Sequence, residues 1–266
     1  MIKYQPPQDM TPLNYFDKAV SAACYSLWEA GNKQQSFASI ARVMTGKNDK
    51  YNPDKNFLEK IEYSCDKQRR TDIDIDATRE SDSYPGLKDK VKIKDRIFPG
   101  RIVKYNFHNG KSAAGITFDR APVLAEYALS KKQIERIDLA LLDTGINKTP
   151  ENIMLQMILK ELLTNMNRGA RTRTIVYDTV FDALDYQMKL FNGSSYDKSL
   201  DVPEQKRNTS PAQRKKRANL IKRTKTIIDA WKGMFYNSYE EISKGRKKHG
   251  LQFKITNKTK KVSKAH

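Results

Sequence analysis

The chain has 266 residues, of which 38% are hydrophobic and 30% charged, and its formal net charge is +19 at pH 7. That length allows one large domain or two of ordinary size, and so strong a basic balance calls for a polyanionic partner or an anionic surface. The opening MIKYQPPQDM holds no apolar h-region and no run approaches about 18 apolar residues, so neither export nor membrane spanning is expected, and a cytoplasmic protein is. Cys24 and Cys65 sit in apolar helical patterns and read as buried free thiols. With only His108, His249 and His266 beside them they cannot build a spaced zinc site, so no metal and no cofactor is expected. The charge is unevenly placed. Residues 204–266 contain 19 Lys/Arg against 4 Asp/Glu, whereas residues 1–203 contain 31 against 27.

In chain order, the first organised unit opens near Asn14. Phe16, Ala19, Val20, Ala23, Cys24, Leu27 and Trp28 recur at helical spacing, with Gly31 placed to close the helix. Ser36 caps a second helix, FASIARVMTG, whose Phe37, Ile40 and Met44 face inward. Asn52-Pro53 starts a third, with Phe57, Ile61 and Cys65 inside and Lys55, Lys60, Lys67, Arg69 and Arg70 outside or at its end. The period then changes from 3.6 to 2. TDIDIDATRE alternates Ile73 and Ile75 with Asp72, Asp74 and Asp76, and VKIKDRI and RIVKYNF read as strands. Asn109-Gly110 is a two-residue hairpin turn. Three helices and a basic-edged hairpin are the order of a winged helix; an unrelated α+β domain fits the same periods. Residues 121–145 read as an amphipathic connecting helix.

Thr149-Pro150 begins a second unit. Its helix ENIMLQMILKELLTNMNRG is apolar over most of its circumference and should be packed on more than one side. Arg171 and Arg173 lead into Ile175, and Asp178 reads as the cap of a short helix, TVFDALDYQM. A polar loop then reaches SPAQRKKRANLIKRTKTIIDAWK, residues 210–232. Ser210 suits the N-cap and Pro211 the first helical position. Leu220, Ile221, Thr224, Ile227, Ile228 and Trp231 make one apolar stripe that fades before Leu220, while Arg214, Lys215, Lys216 and Arg217 continue upstream. Residues 214–219 should therefore protrude. A charged hairpin follows, with Arg246, Lys247 and Lys248 near its turn. The second half thus repeats the order of the first.

These residues carry a resemblance. Phe16-Asp17-Lys18-Ala19-Val20 through Trp28-Glu29-Ala30-Gly31-Asn32, then Ile40-Ala41-Arg42-Val43-Met44-Thr45-Gly46, are similar to the opening helices of the tandem winged-helix replication initiators of theta-type plasmids and their relatives on phages and mobile elements. Ile75-Asp76-Ala77-Thr78-Arg79-Glu80, Ala121-Pro122-Val123-Leu124 with Tyr127-Ala128, and Lys132-Gln133-Ile134 resemble the middle of that family's first domain and its junction. Ile175-Val176-Tyr177-Asp178-Thr179 resembles the start of its second. The resemblance implies an α+β chain of two tandem winged-helix domains, binding to repeated origin DNA and recruitment of host replication proteins. It also implies a dimer–monomer balance in which the first domain mediates dimerisation and the second reads the repeats. The DNA-reading helix falls on residues 210–232. Residues 1–145 then form the first domain with its connecting helix, 146–256 the DNA-binding domain, and 257–266 a disordered basic tail.

Catalysis has little to stand on. There is no H-x-H pair for a tyrosine nickase and no G-x-x-x-x-G-K-[ST] phosphate cradle, so a non-enzymatic protein is expected. Asp72, Asp74 and Asp76 share one strand face and could hold Mg²⁺ in a primase-like nucleotidyltransferase. Against this, the row lacks the other parts of a catalytic site, and Arg69, Arg70 and Arg79 are at hand to neutralise it. A transcriptional regulator with the same fold is the other alternative. In the DNA-binding reading, Lys215, Lys222, Arg223 and Lys225 lie along double-stranded DNA, and Arg214 and Arg217 reach guanine edges through their bidentate forks. Arg246, Lys247 and Lys248 form the wing, and Arg171 and Arg173 contact backbone. Lys60, Lys67, Arg69 and Arg70 form either a second DNA surface or a homodimer surface.

Overall fold

Periodicity does not mark the strand with which the chain opens, β1 (Ile2–Gln5). It belongs to a computed structural model that describes residues 2–48, 50–78, 92–106, 112–130, 142–166, 172–193, 210–233, 236–245 and 247–254. Asn14 then caps α1 (Tyr15–Glu29). Its side chain accepts from the backbone N–H groups of Phe16 and Asp17, and the Asp17 carboxylate accepts from Asn14 N in return. Phe16, Ala19, Val20, Ala23 and Cys24 turn inward. The short strand β2 (Gln34–Ser36) runs directly into α2 (Phe37–Thr45), capped by Ser36 and closed by Gly46 at φ 66°. Asp54 caps α3 (Lys55–Arg70), which buries Phe57, Ile61 and Cys65.

Two sheets follow. β3 (Asp72–Asp76) pairs with β1 on one side and β4 (Lys92–Arg96) on the other. The hairpin β5 (Gly100–Asn106) and β6 (Ser112–Phe118) joins β2 in the order β2-β6-β5. Helix, strand, helix, helix and a hairpin whose second strand pairs back onto the first strand is winged-helix topology. Its expected turn at Asn109-Gly110 lies outside the described residues. The connecting segment is helical over α4 (Val123–Ser130); residues 131–141 lie outside the described residues, and the chain beyond them is not an α-helix until Pro150.

The second unit repeats this topology: α5 (Pro150–Met166), β7 (Thr172–Val176), α6 (Tyr177–Phe191), α7 (Pro211–Ala230), then β8 (Ser238–Lys244) and β9 (Lys247–Lys254), with sheet order β7-β9-β8. The two units divide as Met1–Asp143 with Leu190–Gly193, and Thr144–Lys189 with Ser194–His266. In α5, consecutive residues Asn152, Ile153, Met154, Leu155 and Gln156 are all buried, so more than one side is packed. A backbone detail marks the repeat. The residue before the second helix, Ser36 in one unit and Val176 in the other, pairs with a glycine, Gly115 or Gly250. A Cβ there would stand 2.2 Å from the Gln35 carbonyl oxygen or 2.3 Å from that of Ile175, so only glycine admits the strand so close. The chain is α+β, built of two winged-helix units.

Three expectations are corrected. Lys67 is not on a surface: its side chain is 1% exposed, and its Nζ lies 2.6 Å from Asp17 Oδ2. The remaining donors go to Thr11 Oγ1 (3.1 Å) and the Pro12 carbonyl (3.3 Å), so the ammonium is fully satisfied and ties the segment before α1 to α3. Ser64 Oγ donates to Asp17 Oδ1 at 2.7 Å. Burial raises the Asp17 pKa, opposed by the Lys67 charge and these hydrogen bonds. Second, the neutralisers of the aspartate row are not Arg69 and Arg70, which pair with Asp66 and Asp9. They are strand neighbours: Asp72, Asp74 and Asp76 stand opposite Arg96, Lys94 and Lys92, and Lys3 stands opposite Asp74 on the other side. Opposite residues share a face, so the carboxylates alternate with cations across the sheet. Third, α6 starts at Tyr177, which puts Asp178 inside its first turn rather than at the cap.

Removing one partner of a buried ion pair leaves the other uncompensated. Lys67→Ala should therefore destabilise the first unit by roughly 3–5 kcal/mol, whereas Lys60→Ala, at an exposed position of the same helix, should stay within about 0.5 kcal/mol. Chemical denaturation of the two variants checks this; equal losses would place Lys67 at the surface.

Candidate nucleic-acid interface

Helix α7 begins with a capping box. Gln213 N donates to Ser210 Oγ (3.2 Å), Ser210 N donates to the Gln213 side chain (3.4 Å), and Pro211 takes the first helical position. Further along, Leu220, Ile221, Thr224, Ile227, Ile228 and Trp231 are buried. Tyr236 Oη donates to the Ile228 carbonyl at 2.6 Å and fastens the helix end to the start of the hairpin. Upstream of Leu220, residues 214, 215, 216, 218 and 219 are exposed, while Arg217 is only partly so. The helix is anchored at one end and proud of the core at the other.

The cations of α7 fall into two sets. Arg217 stands three and four residues before Leu220 and Ile221, which continues the apolar stripe by one more turn. It therefore points inward, with its side chain 18% exposed. Its guanidinium pairs with Asp178 on α6, lies 5.1 Å from the centre of the Phe181 ring, and donates from Nη2 to the Lys248 carbonyl at 3.3 Å. Arg223 donates to Asn152 Oδ1 (2.6 Å) and Glu151 Oε1 (2.8 Å) at the start of α5 and is 19% exposed. Lys216 pairs with Asp185 of α6 at 3.4 Å, and Lys225 with Glu241 of β8 at 3.7 Å. By contrast, Arg214, Lys215 and Lys222 are exposed, and their side chains have no hydrogen-bond or ion-pair partner among the described residues. Lys215 and Lys222 are seven residues apart, two helical turns on one face, with Arg214 at its edge.

One carboxylate gathers several groups beside the wing. Glu241 accepts from Lys248 Nζ (2.9 Å) and the Tyr177 hydroxyl (3.1 Å) and faces Lys225. Partial burial works against its ionisation, but the Lys248 and Tyr177 hydrogen bonds and the two lysine charges outweigh it and hold the carboxyl below its usual range. The Tyr177 hydroxyl is pushed the other way, by burial and then by Glu241. Lys248 still keeps half its side chain exposed, and Lys254 pairs with Glu240 at 2.7 Å.

The sequence-predicted site residues therefore separate. Arg214, Lys215 and Lys222 share the open side of α7, and Lys248 lies on the wing whose carbonyl Arg217 touches. Lys247 lies at the start of β9, and Arg171 and Arg246 lie outside the described residues. Arg173 stands opposite Phe253, a buried core residue, toward the end of the sheet away from the wing turn. Arg217, Arg223 and Lys225 serve intramolecular pairs. In the first unit the matching helix α3 is charge-balanced. Arg69 pairs with Asp66, Arg70 with Asp9 and Asp66, Lys55 with Glu59, and Glu62 takes Lys104 from β5, which leaves Lys60 as an exposed lysine on that helix. Asn219, four residues beyond Lys215 and three before Lys222, is also exposed on that side of α7.

No protein-family model and no curated protein matches this chain. Among solved structures, it is similar to a crystal structure of domains 2 and 3 of RctB, with 11% identity over 96% of this chain and 85% of that one and a TM-score of 0.40. That likeness is too distant to bear on function, and the winged-helix assignment rests on strand order and register.

The two sets differ in stability. Arg217→Ala removes a half-buried ion pair and a ring contact and should cost about 2 kcal/mol, while Arg214→Ala should stay within about 0.5 kcal/mol. Thermal unfolding separates them. Because the folded Glu241 carboxyl is held low, its stabilisation is present above the unfolded value near pH 4 and is lost as pH falls through the folded one. Glu241→Gln should accordingly show a shallower loss of stability between about pH 5 and pH 3 than the parent protein.

Proposed function

We propose that this chain is a sequence-specific double-stranded DNA-binding protein that presents the N-terminal half of α7 to the major groove. A helix anchored through its C-terminal stripe, with free cations on its projecting end and a hairpin beside it, has the parts a groove-reading element needs. The observation that carries the reading is the partition of charge on α7. Arg214, Lys215 and Lys222 are unneutralised on one face, while Lys216, Arg217, Arg223 and Lys225 are matched by carboxylates. A solvated basic helix would have no reason to sort its cations this way.

The larger role we propose is initiation of replication at repeated origin sequences of a plasmid, phage or mobile element, without enzymatic activity, by a cytoplasmic protein that engages host replication proteins. The family resemblance of the sequence supports this role, as does the repetition of one winged-helix frame in two units. The first unit, whose α3 is charge-balanced, suits dimerisation better than a second DNA contact. Transcriptional regulation would use the same surface. The primase-like alternative is disfavoured because each carboxylate of the Asp72, Asp74 and Asp76 row faces a lysine or arginine across the strand, where a cation pair for nucleotidyl transfer would need them free.

Fluorescence anisotropy across a salt series tests the DNA reading, with duplexes carrying short direct repeats from beside the coding region and scrambled controls. The repeats should bind more tightly than the controls. Lys215→Ala and Lys222→Ala should each lower the slope of log K against log salt by about 0.9. Lys216→Ala should leave it nearly unchanged. Equal slopes in all three variants would remove α7 from the interface, and equal affinity for repeats and controls would reduce the protein to a general polyanion binder.

A further inference from the structure

Among the described residues, nothing engages the Asn219 side chain. The residue sits in the middle of α7, is exposed, and its side chain has no hydrogen-bond partner among the described residues. Asparagine is a poorer helix former than alanine, because its side chain competes for backbone groups. An unpartnered asparagine at mid-helix is thus a local cost that nothing within the fold offsets. Other carboxamides nearby are employed: Gln213 closes the capping box and Asn152 holds Arg223.

Its position gives it a use. Lys215 is one turn before it and Lys222 one turn after, on the same side of the helix. If those two ammonium groups take phosphates, Asn219 stands between them. Its neighbour Ala218, also exposed, adds only a methyl group and so allows close approach. A carboxamide offers one donor and one acceptor side by side, which match adenine N7 and the N6 amino group in the major groove. Guanine presents two acceptors there and fits less well. Resting on the DNA-binding reading above, we infer that Asn219 is a specificity-determining residue that reads an adenine edge in the major groove.

Selection from a duplex library with a randomised core, carried out with the full chain, tests this. The parent protein should enrich a site with at least one position held as adenine. Asn219→Ala should enrich the same site with that position relaxed and the others kept, and discrimination there should fall by roughly 5- to 100-fold. Replacing that adenine with 7-deazaadenine, which lacks the N7 acceptor, should weaken the parent protein and leave Asn219→Ala unaffected. The variant replaces an exposed residue by a better helix former, so its folding is not at stake. If Asn219→Ala keeps every position of the selected site, or loses affinity equally for all sequences, the inference is overturned while DNA reading stands. If the parent protein enriches no site, the DNA reading fails and this inference fails with it.

Discussion

The second unit depends on how Arg217 is held. A long basic helix with an apolar stripe over only part of its length has no intrinsic reason to keep a fixed direction upstream of the stripe. Arg217 supplies one, by placing a cation on the inner face and giving it three partners from two elements: Asp178 and the Phe181 ring of α6, and the Lys248 carbonyl of the wing. Second helix, third helix and hairpin are thereby tied at one point. Partial withdrawal from water strengthens such a pair, and the planar guanidinium can serve a carboxylate, a ring face and a carbonyl together where an ammonium could not. The opposite side of α7 is left open, with Arg214, Lys215 and Lys222 exposed.

The same frame carries different electrostatics in the two units. In the first, α3 buries a lysine against Asp17 and matches most of its remaining cations with Asp66, Asp9 and Glu59. In the second, carboxylates from α5, α6 and β8 neutralise the sides of α7 that face the protein and leave the outer side uncompensated. Fold therefore does not determine which unit presents uncompensated cations; the placement of a few acidic residues does. Those acids also narrow the positive field, which should restrain indiscriminate phosphate binding.

Much of this was readable in the residues. Caps at Ser36 and Ser210, the closing Gly31, and the switch of period after α3 are local signals, and the helices and strands fall where they point. The stripe from Leu220 also predicted which part of α7 would project. What escaped depended on partners distant in sequence. β1 is four residues with no buried side, and exists because β3 offers an edge. Lys67 looked like one more basic residue near a helix end, and only the approach of α1 makes it a core group. Arg217 lies on the buried face by simple helical geometry, but its charge argued for solvent, and only Asp178 and Phe181 reverse that expectation.

The central claim is that the outer face of α7, and not its flanks, meets DNA. Lysine acylation footprinting by mass spectrometry, with and without a saturating duplex, tests it without a substitution. Lys215 and Lys222 should lose reactivity when duplex is present, while Lys216 on the α6 side and Lys60 on the first unit should keep theirs. Unchanged reactivity at Lys215 and Lys222 alongside protection of Lys60 would contradict the account and move the interface to the first unit.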